Sequence, residues 1–184
     1  MTLDKKALRA QLRAARDGFF AEHRPRLAVP ELLRARLAPG VVVASYLPVG
    51  SEADPTPLAD AAREAGCVLA LAWVADRATP MEFLRWDADT SIEAGPLGLR
   101  QPSRSAPAVV PDVILAPLVG FDATLNRLGQ GAGFYDRAFA QHGGAWRLGL
   151  AWSVQQVPEL PADPWDVPLH AILTEQALHL PEQR

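Results

Sequence analysis

Leu8, Leu12, Ala15 and Phe19 recur at helical spacing and predict an amphipathic helix over residues 4–20. A basic stripe of Lys5, Arg9, Arg13 and Arg16 runs beside the apolar one. The pattern alone favours a solvated face for these cations; the functional alternative is that the first turns lend them to a phosphate site. A shorter helix is expected over 30–37, ending near Gly40. Apolar runs at 41–46 and 67–74 read as buried strands, and 81–86 as a weaker, half-exposed one. Between the first two, Thr56 suits an N-cap and Pro57 the first helical position, with Gly66 stopping that helix after about Ala65. This strand–helix–strand unit implies parallel pairing. Residues 87–111 are rich in Pro, Gly and Ser and read mainly as loop. Further strands are expected at 112–117, 147–152 and 170–174, with a helix over 133–142. Strands alternating with helices predict a single α/β domain over 1–184, a three-layer α/β/α sandwich around a mostly parallel sheet.

Ligands of such folds gather at the carboxyl ends of the strands. The loops at 47–55, 118–136 and 153–166 each follow an expected core strand. Glu52, Asp122, Asp136 and Asp166 lie in or beside them, so these four carboxylates are expected to converge.

The most informative stretch is Arg127-Leu-Gly-Gln-Gly-Ala-Gly-Phe-Tyr-Asp-Arg137. Glycine lets the backbone take positive φ and turn its N–H groups onto an anion. A helix following directly would add its unsatisfied N–H groups. Arg127 and Arg137 supply cations, and Asp136 a carboxylate suited to a metal ion. A glycine-rich turn between strand and helix is often only a tight connection, and the alternative reading is a phosphate cradle. The spacing matches neither the dinucleotide fingerprint nor a Walker A loop.

Composition narrows the picture. Net charge is −3, so a surface that coats nucleic acid is not expected. Of 18 basic residues only Lys5 and Lys6 are lysines, so any ammonium the chemistry needs comes from the first helix. Cys67 is the only cysteine and sits in an apolar run, which suggests a buried, inert thiol and excludes an intrachain disulfide. The four histidines show no ligand spacing, which argues against zinc. The five tryptophans, 73, 86, 146, 152 and 165, are expected to be mostly core or rim packing, although each is a candidate to stack a pterin. No apolar run is long enough to span a bilayer and the N-terminus lacks a signal-peptide core, so a cytoplasmic protein is expected.

The 127–137 segment resembles the signature of the 5-formyltetrahydrofolate cyclo-ligase family, also called 5,10-methenyltetrahydrofolate synthetases. The likeness extends to Lys5-x-x-Leu8-Arg9, Tyr46 through Glu52, Met81-x-Phe83, Gly98-Leu-x-Gln-Pro102, the strand from Asp112 to Asp122, Asp166-Val-Pro and Thr174-Glu175. The resemblance implies a fold like that of the NagB/RpiA/CoA transferase group. It also implies an ATP- and Mg²⁺-dependent ligase of folate one-carbon metabolism. That enzyme would convert 5-formyltetrahydrofolate to 5,10-methenyltetrahydrofolate with release of ADP and phosphate.

Carried over by position, Lys5, Arg9, Arg127, Gly129, Gln130, Gly131, Gly133 and Arg137 would contact ATP. Asp136 and Asp166 would hold Mg²⁺, and Leu47, Glu52, Phe134 and Tyr135 would face the folate. Arg127 and Asp136 would be catalytic, and the protein a monomer with no nucleic-acid or membrane partner. Phosphoryl transfer depends on positioning and charge neutralisation, which suits this residue set. Gln130 stands where the family often has a basic residue, Phe134 where it often has tyrosine, Leu125 at a frequent glycine and His170 at a frequent acidic position. The alternative is a family member that binds nucleotide or folate but has lost or changed the ligase reaction.

Overall fold

The structure is a computed structural model that describes residues 4–161, 163 and 166–181. Trp165, one of the candidates for pterin stacking, lies outside the described residues.

Helix α1 spans Lys5–His23, with the Asp4 side chain accepting from Lys6 N at its start. It buries Leu8, Leu12 and Arg16, while Ala15 of the expected apolar stripe is exposed. The solvated-face reading of the basic stripe is therefore corrected. Arg16 is 6% exposed, and Lys5, Arg9 and Arg13 are partly covered. α2 is a single turn, Glu31–Arg34, shorter than the expected 30–37. α3 runs Thr56–Glu64, and Pro55 occupies the N-cap that Thr56 was expected to fill. The Asp54 carboxylate accepts from Thr56 N and Oγ1, so the capping comes from two residues before the helix. α4 spans Phe134–Gln141, close to expectation.

The central sheet contains β1 (Val42–Ser45), β2 (Val68–Trp73), β3 (Glu82–Arg85), β6 (Val113–Pro117), β9 (Trp146–Leu150), β10 (Ala171–Leu173) and β11 (Leu178–His179). Its order is β11-β10-β9-β6-β1-β2-β3. The five inner strands pair in parallel, and β3 and β11 close the edges antiparallel. The short strand β11 carries too little pattern to be expected from sequence. Residues 87–111 are not simply loop, since β4 (Ile92–Ala94) pairs with β5 (Arg100–Pro102) as a hairpin. Gln101 pins it to the sheet by exchanging hydrogen bonds with the backbone of Val74. Another small hairpin joins β7 (Gly120–Phe121) to β8 (Arg127–Leu128) just before the glycine-rich loop.

Alternation along the inner strands divides the core in two. Val43, Leu69, Val113, Leu115, Leu148 and Leu150 face α2, α3 and Trp152. Ala44, Ala70, Ile114, Ala116 and Ile172 face Ala138 and Phe139 of α4. These are the opposite faces of a period-two pleat, so both sides of the sheet are covered by helix. Each fully buried leucine or phenylalanine contributes about 1.5–3 kcal/mol relative to exposure. The chain leaves β1 through α3 to β2, then returns to β6 on the other side of β1. A crevice at that reversal, beyond the strand ends, is where doubly wound sheets place their ligands. Among the described residues, no helix is long and apolar enough to cross a membrane.

Cys67 is half-buried instead of buried, with its Sγ donating to Ala38 O and its thiol pKa raised by burial. Trp152 is wholly buried, Trp73, Trp86 and Trp146 are partly so, and none of these four lines the main cavity.

Candidate active site

A cavity of about 600 Å³ opens at the reversal point. Tyr46 and Leu47 come from the end of β1, Leu71 and Ala72 from β2, and Pro117 from β6. α1 forms one wall with Lys5, Arg9, Arg13 and Arg16. Residues 127–136 form another, and Asp163 and Asp166 complete the polar end. Val74, Met81, Leu97 and Leu99 add apolar lining, beside the polar side chains of Arg100 and Gln101.

The glycine-rich loop leaves β8 and enters α4 through Gly133. Gly131 has φ +103°, which a side chain would strain. A Cβ on Gly129 would stand 2.6 Å from Arg127 Nη1, so glycine here lets the guanidinium pack over the loop. Arg9 Nε holds the loop from α1, donating to Gly129 O at 2.8 Å.

Two cations are paired with carboxylates at the polar end. Arg127 Nη2 meets Asp136 Oδ1 at 2.7 Å, with the Arg127 side chain 4% exposed. Its Nε is buried without a hydrogen-bond partner among the described residues. Lys5 Nζ meets Asp163 at 2.6 Å and Asp166 at 3.2 Å. Burial pulls the Lys5 pKa down, but bonding to these two carboxylates outweighs it, and the net direction is up.

Glu52 is buried, and its Oε2 accepts from Val49 N at 3.0 Å. Its Oε1 accepts from Gln130 Nε2 at 3.0 Å, with Arg16 Nη1 at 3.9 Å. Trp152 Nε1 donates to Ser51 O and Arg16 Nε to Ser51 Oγ, which fixes the turn that carries Glu52. Tyr46 is tied through its hydroxyl to Ala53 O. Burial first, and Glu52 second, push the phenols of Tyr46 and Tyr135 up, so both stay protonated donors.

The sequence expectations sort accordingly. Lys5, Arg9, Arg127, Gly129, Gln130, Gly131, Gly133, Leu47, Glu52, Phe134, Tyr135, Asp136 and Asp166 all line one cavity. Arg137 does not line it. Its guanidinium props the loop from outside, donating to Ala132 O and Arg77 O and lying over the Phe134 ring. Asp122 also leaves the expected set. It is 2% exposed, and its carboxylate is consumed by Thr124, Asn126 and Leu160 N.

Asp163 and Arg16 were not singled out as site residues. The spacing of Asp163 three before Asp166 was a usable signal, as was the position of Arg16 seven after Arg9 on one helix face.

Among the described residues, no group of three or more His, Cys, Asp and Glu is placed to hold a metal. Asp136 and Asp166 are nonetheless hard oxygen donors on the cavity wall. Mg²⁺ is commonly held by one or two carboxylates plus a substrate's phosphates, and these residues fit that donor set.

Residues 1–175 match the 5-formyltetrahydrofolate cyclo-ligase family. The 5-formyltetrahydrofolate cyclo-ligase of Escherichia coli is 31% identical over 174 residues, covering 89% of this chain and 96% of that protein. The Haemophilus influenzae protein of the same name is 42% identical over 97 residues, 50% of this chain and 52% of the relative. The solved 5,10-methenyltetrahydrofolate synthetase of Aquifex aeolicus superposes with a TM-score of 0.75 at 27% identity, covering 98% of this chain and 94% of that one. A match along nearly the whole chain, in sequence and in fold, places this protein in the 5-formyltetrahydrofolate cyclo-ligase family of enzymes.

Proposed function

We propose that the protein converts 5-formyltetrahydrofolate to 5,10-methenyltetrahydrofolate at the expense of ATP, with Mg²⁺ as cofactor. The observation that carries the reading is one cavity with two unlike kinds of lining. Lys5, Arg9, Arg127 and the glycine-rich loop supply cations and N–H groups; Val74, Met81, Leu97 and Leu99 supply apolar surface, and Glu52 and Tyr135 line the same cavity. The first suits a triphosphate and the second a flat, partly polar ring system.

The formyl oxygen is a poor nucleophile and, once the carbonyl must be opened, a poor leaving group. It attacks the γ-phosphorus of ATP, the bond to the β–γ bridging oxygen breaks, and ADP leaves. The formyl carbon becomes electrophilic, and the N10 lone pair closes the ring onto it. The N10 proton is lost and the C–O bond breaks to release phosphate, leaving the methenyl cation. Arg127 and Lys5 would neutralise charge that develops on the transferring group. The loop's N–H groups would hold the phosphates in line without reorganising, and Leu47 and Tyr135 would orient the folate. Asp136 and Asp166 would hold Mg²⁺, which when bound adds positive charge beside the phosphates.

Purified protein supplied with 5-formyltetrahydrofolate, ATP and Mg²⁺ should show rising methenyl absorbance with matching ADP release. Absence of ATP-dependent methenyl product would refute the assignment and leave a member of the family that binds without this turnover.

A further inference from the structure

We infer that Gln130 couples nucleotide binding to folate binding, as a positioning residue whose amide ties the glycine-rich loop to the Glu52 carboxylate. The inference rests on the proposed function and extends it to how each substrate affects the binding of the other. Gln130 Oε1 accepts from Arg13 Nη2 at 2.6 Å and Arg13 Nε at 3.1 Å. Its Nε2 donates to Glu52 Oε1 at 3.0 Å. A guanidinium only donates and an ionised carboxylate only accepts, so a single amide orientation satisfies both neighbours. Flipping the amide would set like dipoles against each charge and break all three contacts. Hydrogen bonds to charged partners are the stronger kind, which gives this strap weight although Gln130 is exposed.

The two anchors differ in freedom. Glu52 sits on a turn held by Trp152 and Arg16, and its other oxygen is fixed by Val49 N. Gln130 sits between Gly129 and Gly131, where the backbone can rotate. An anion that draws in the loop's N–H groups therefore acts on the Gln130 side chain, and through it on Glu52. Conversely, a folate that settles against Glu52 fixes the loop that receives the phosphates. Coupling of this kind is reciprocal by thermodynamic necessity. A cation at position 130 would face Arg13 without an acceptor to offer it.

The test titrates 5-formyltetrahydrofolate into the whole protein with and without Mg²⁺ and a non-hydrolysable ATP analogue. The reverse titration of the analogue, with and without the folate, completes the cycle. In the native protein each ligand should tighten the other by the same factor, about 5-fold or more. Gln130→Met keeps length and bulk but removes the amide, and should bring that factor close to one while both ligands still bind. Gln130→Glu retains an acceptor for Arg13 and loses the donor to Glu52, and should lose the coupling as well. A purely structural role would weaken both ligands and leave the factor unchanged. A native protein that turns over without mutual tightening overturns the inference, as does an unchanged factor in Gln130→Met. Failure of the native protein to bind or turn over overturns the proposed function and this inference together.

Discussion

Arg127 and Asp136 form an ion pair at 2.7 Å that spans the glycine-rich loop, joining β8 to the first turn of α4. The pair holds together the two ends of the segment that carries the loop, and the loop curves between them. It also places a nearly inaccessible guanidinium, whose buried Nε has no hydrogen-bond partner among the described residues, against the wall of the cavity.

Removing that guanidinium should therefore damage chemistry more than folding. Arg127→Ala is expected to lower kcat about 10²–10³-fold, the loss typical for one donor to a developing anion. Arg127→Lys keeps the charge but not the fork, and should recover only part of it. Asp136→Asn should abolish turnover, and it should also lower the melting temperature, because the nearly inaccessible Arg127 guanidinium loses its counter-charge. Full activity in Asp136→Asn would refute its proposed metal role.

Asp122 should behave in the opposite way. Burial opposes its ionisation, but hydrogen bonds from Thr124, Leu160 and Asn126 outweigh it, and its pKa is lowered. Asp122→Asn leaves these donors poorly satisfied and should cost about 2 kcal/mol or more of stability in urea unfolding. A collapse of kcat with unchanged stability would instead mark Asp122 as a site residue.

Leu125 adopts φ +63°, a left-handed conformation that glycine takes freely, yet it is 1% exposed and packs in the core. Replacing it by glycine would relieve about 1–2 kcal/mol of backbone strain. It would also forfeit about 2–5 kcal/mol of leucine packing. Leu125→Gly should therefore be net destabilising, as read from the denaturation midpoint. A higher midpoint would show that strain outweighs packing.

His142 and His170 set an acid limit. Burial lowers the pKa of both, and Arg147 and Arg36 lower that of His170 further. Both imidazoles are thus held neutral in the folded state and gain protons more readily when unfolded. Their contribution is fully present above the unfolded pKa, about 6.5. It is lost as pH falls from there through the depressed folded values. Urea midpoints should fall between pH 7.5 and pH 5, and less steeply in His170→Asn. An equal slope in that variant would exclude His170 as a contributor. His170 Nδ1 accepts from Arg147 N at 2.9 Å, so asparagine keeps some hydrogen-bonding capacity there.

Much of this molecule is legible in its sequence. The inner strands, α1, α3 and α4 follow from hydrophobic period and from stop signals such as Gly66, because burial rewards the same spacing wherever an element packs. The 127–137 segment was legible as a loop entering a helix because positive φ is a local requirement, met here by Gly131 and Gly133. The elements the pattern missed, the 92–102 hairpin and β11, are short and owe their order to partners such as Val74 and β10 that are distant in sequence.

Tertiary structure alone decided which charges belong to the site. Arg16 and Ala15 are adjacent, and the periodicity favoured burying alanine; the turn carrying Ser51 and Glu52 provides partners that reverse the choice. Asp122 and Glu52 look alike as loop carboxylates, and only their donors separate them. Those of Asp122 belong to its own loop and to Leu160, whereas Glu52 accepts from Gln130 across the cavity. Local spacing determines elements because their hydrogen bonds and apolar faces are short-range. A site is long-range electrostatics and hydrogen bonding between segments, and here residues 5, 52, 130 and 166 meet only because the fold brings them around one cavity.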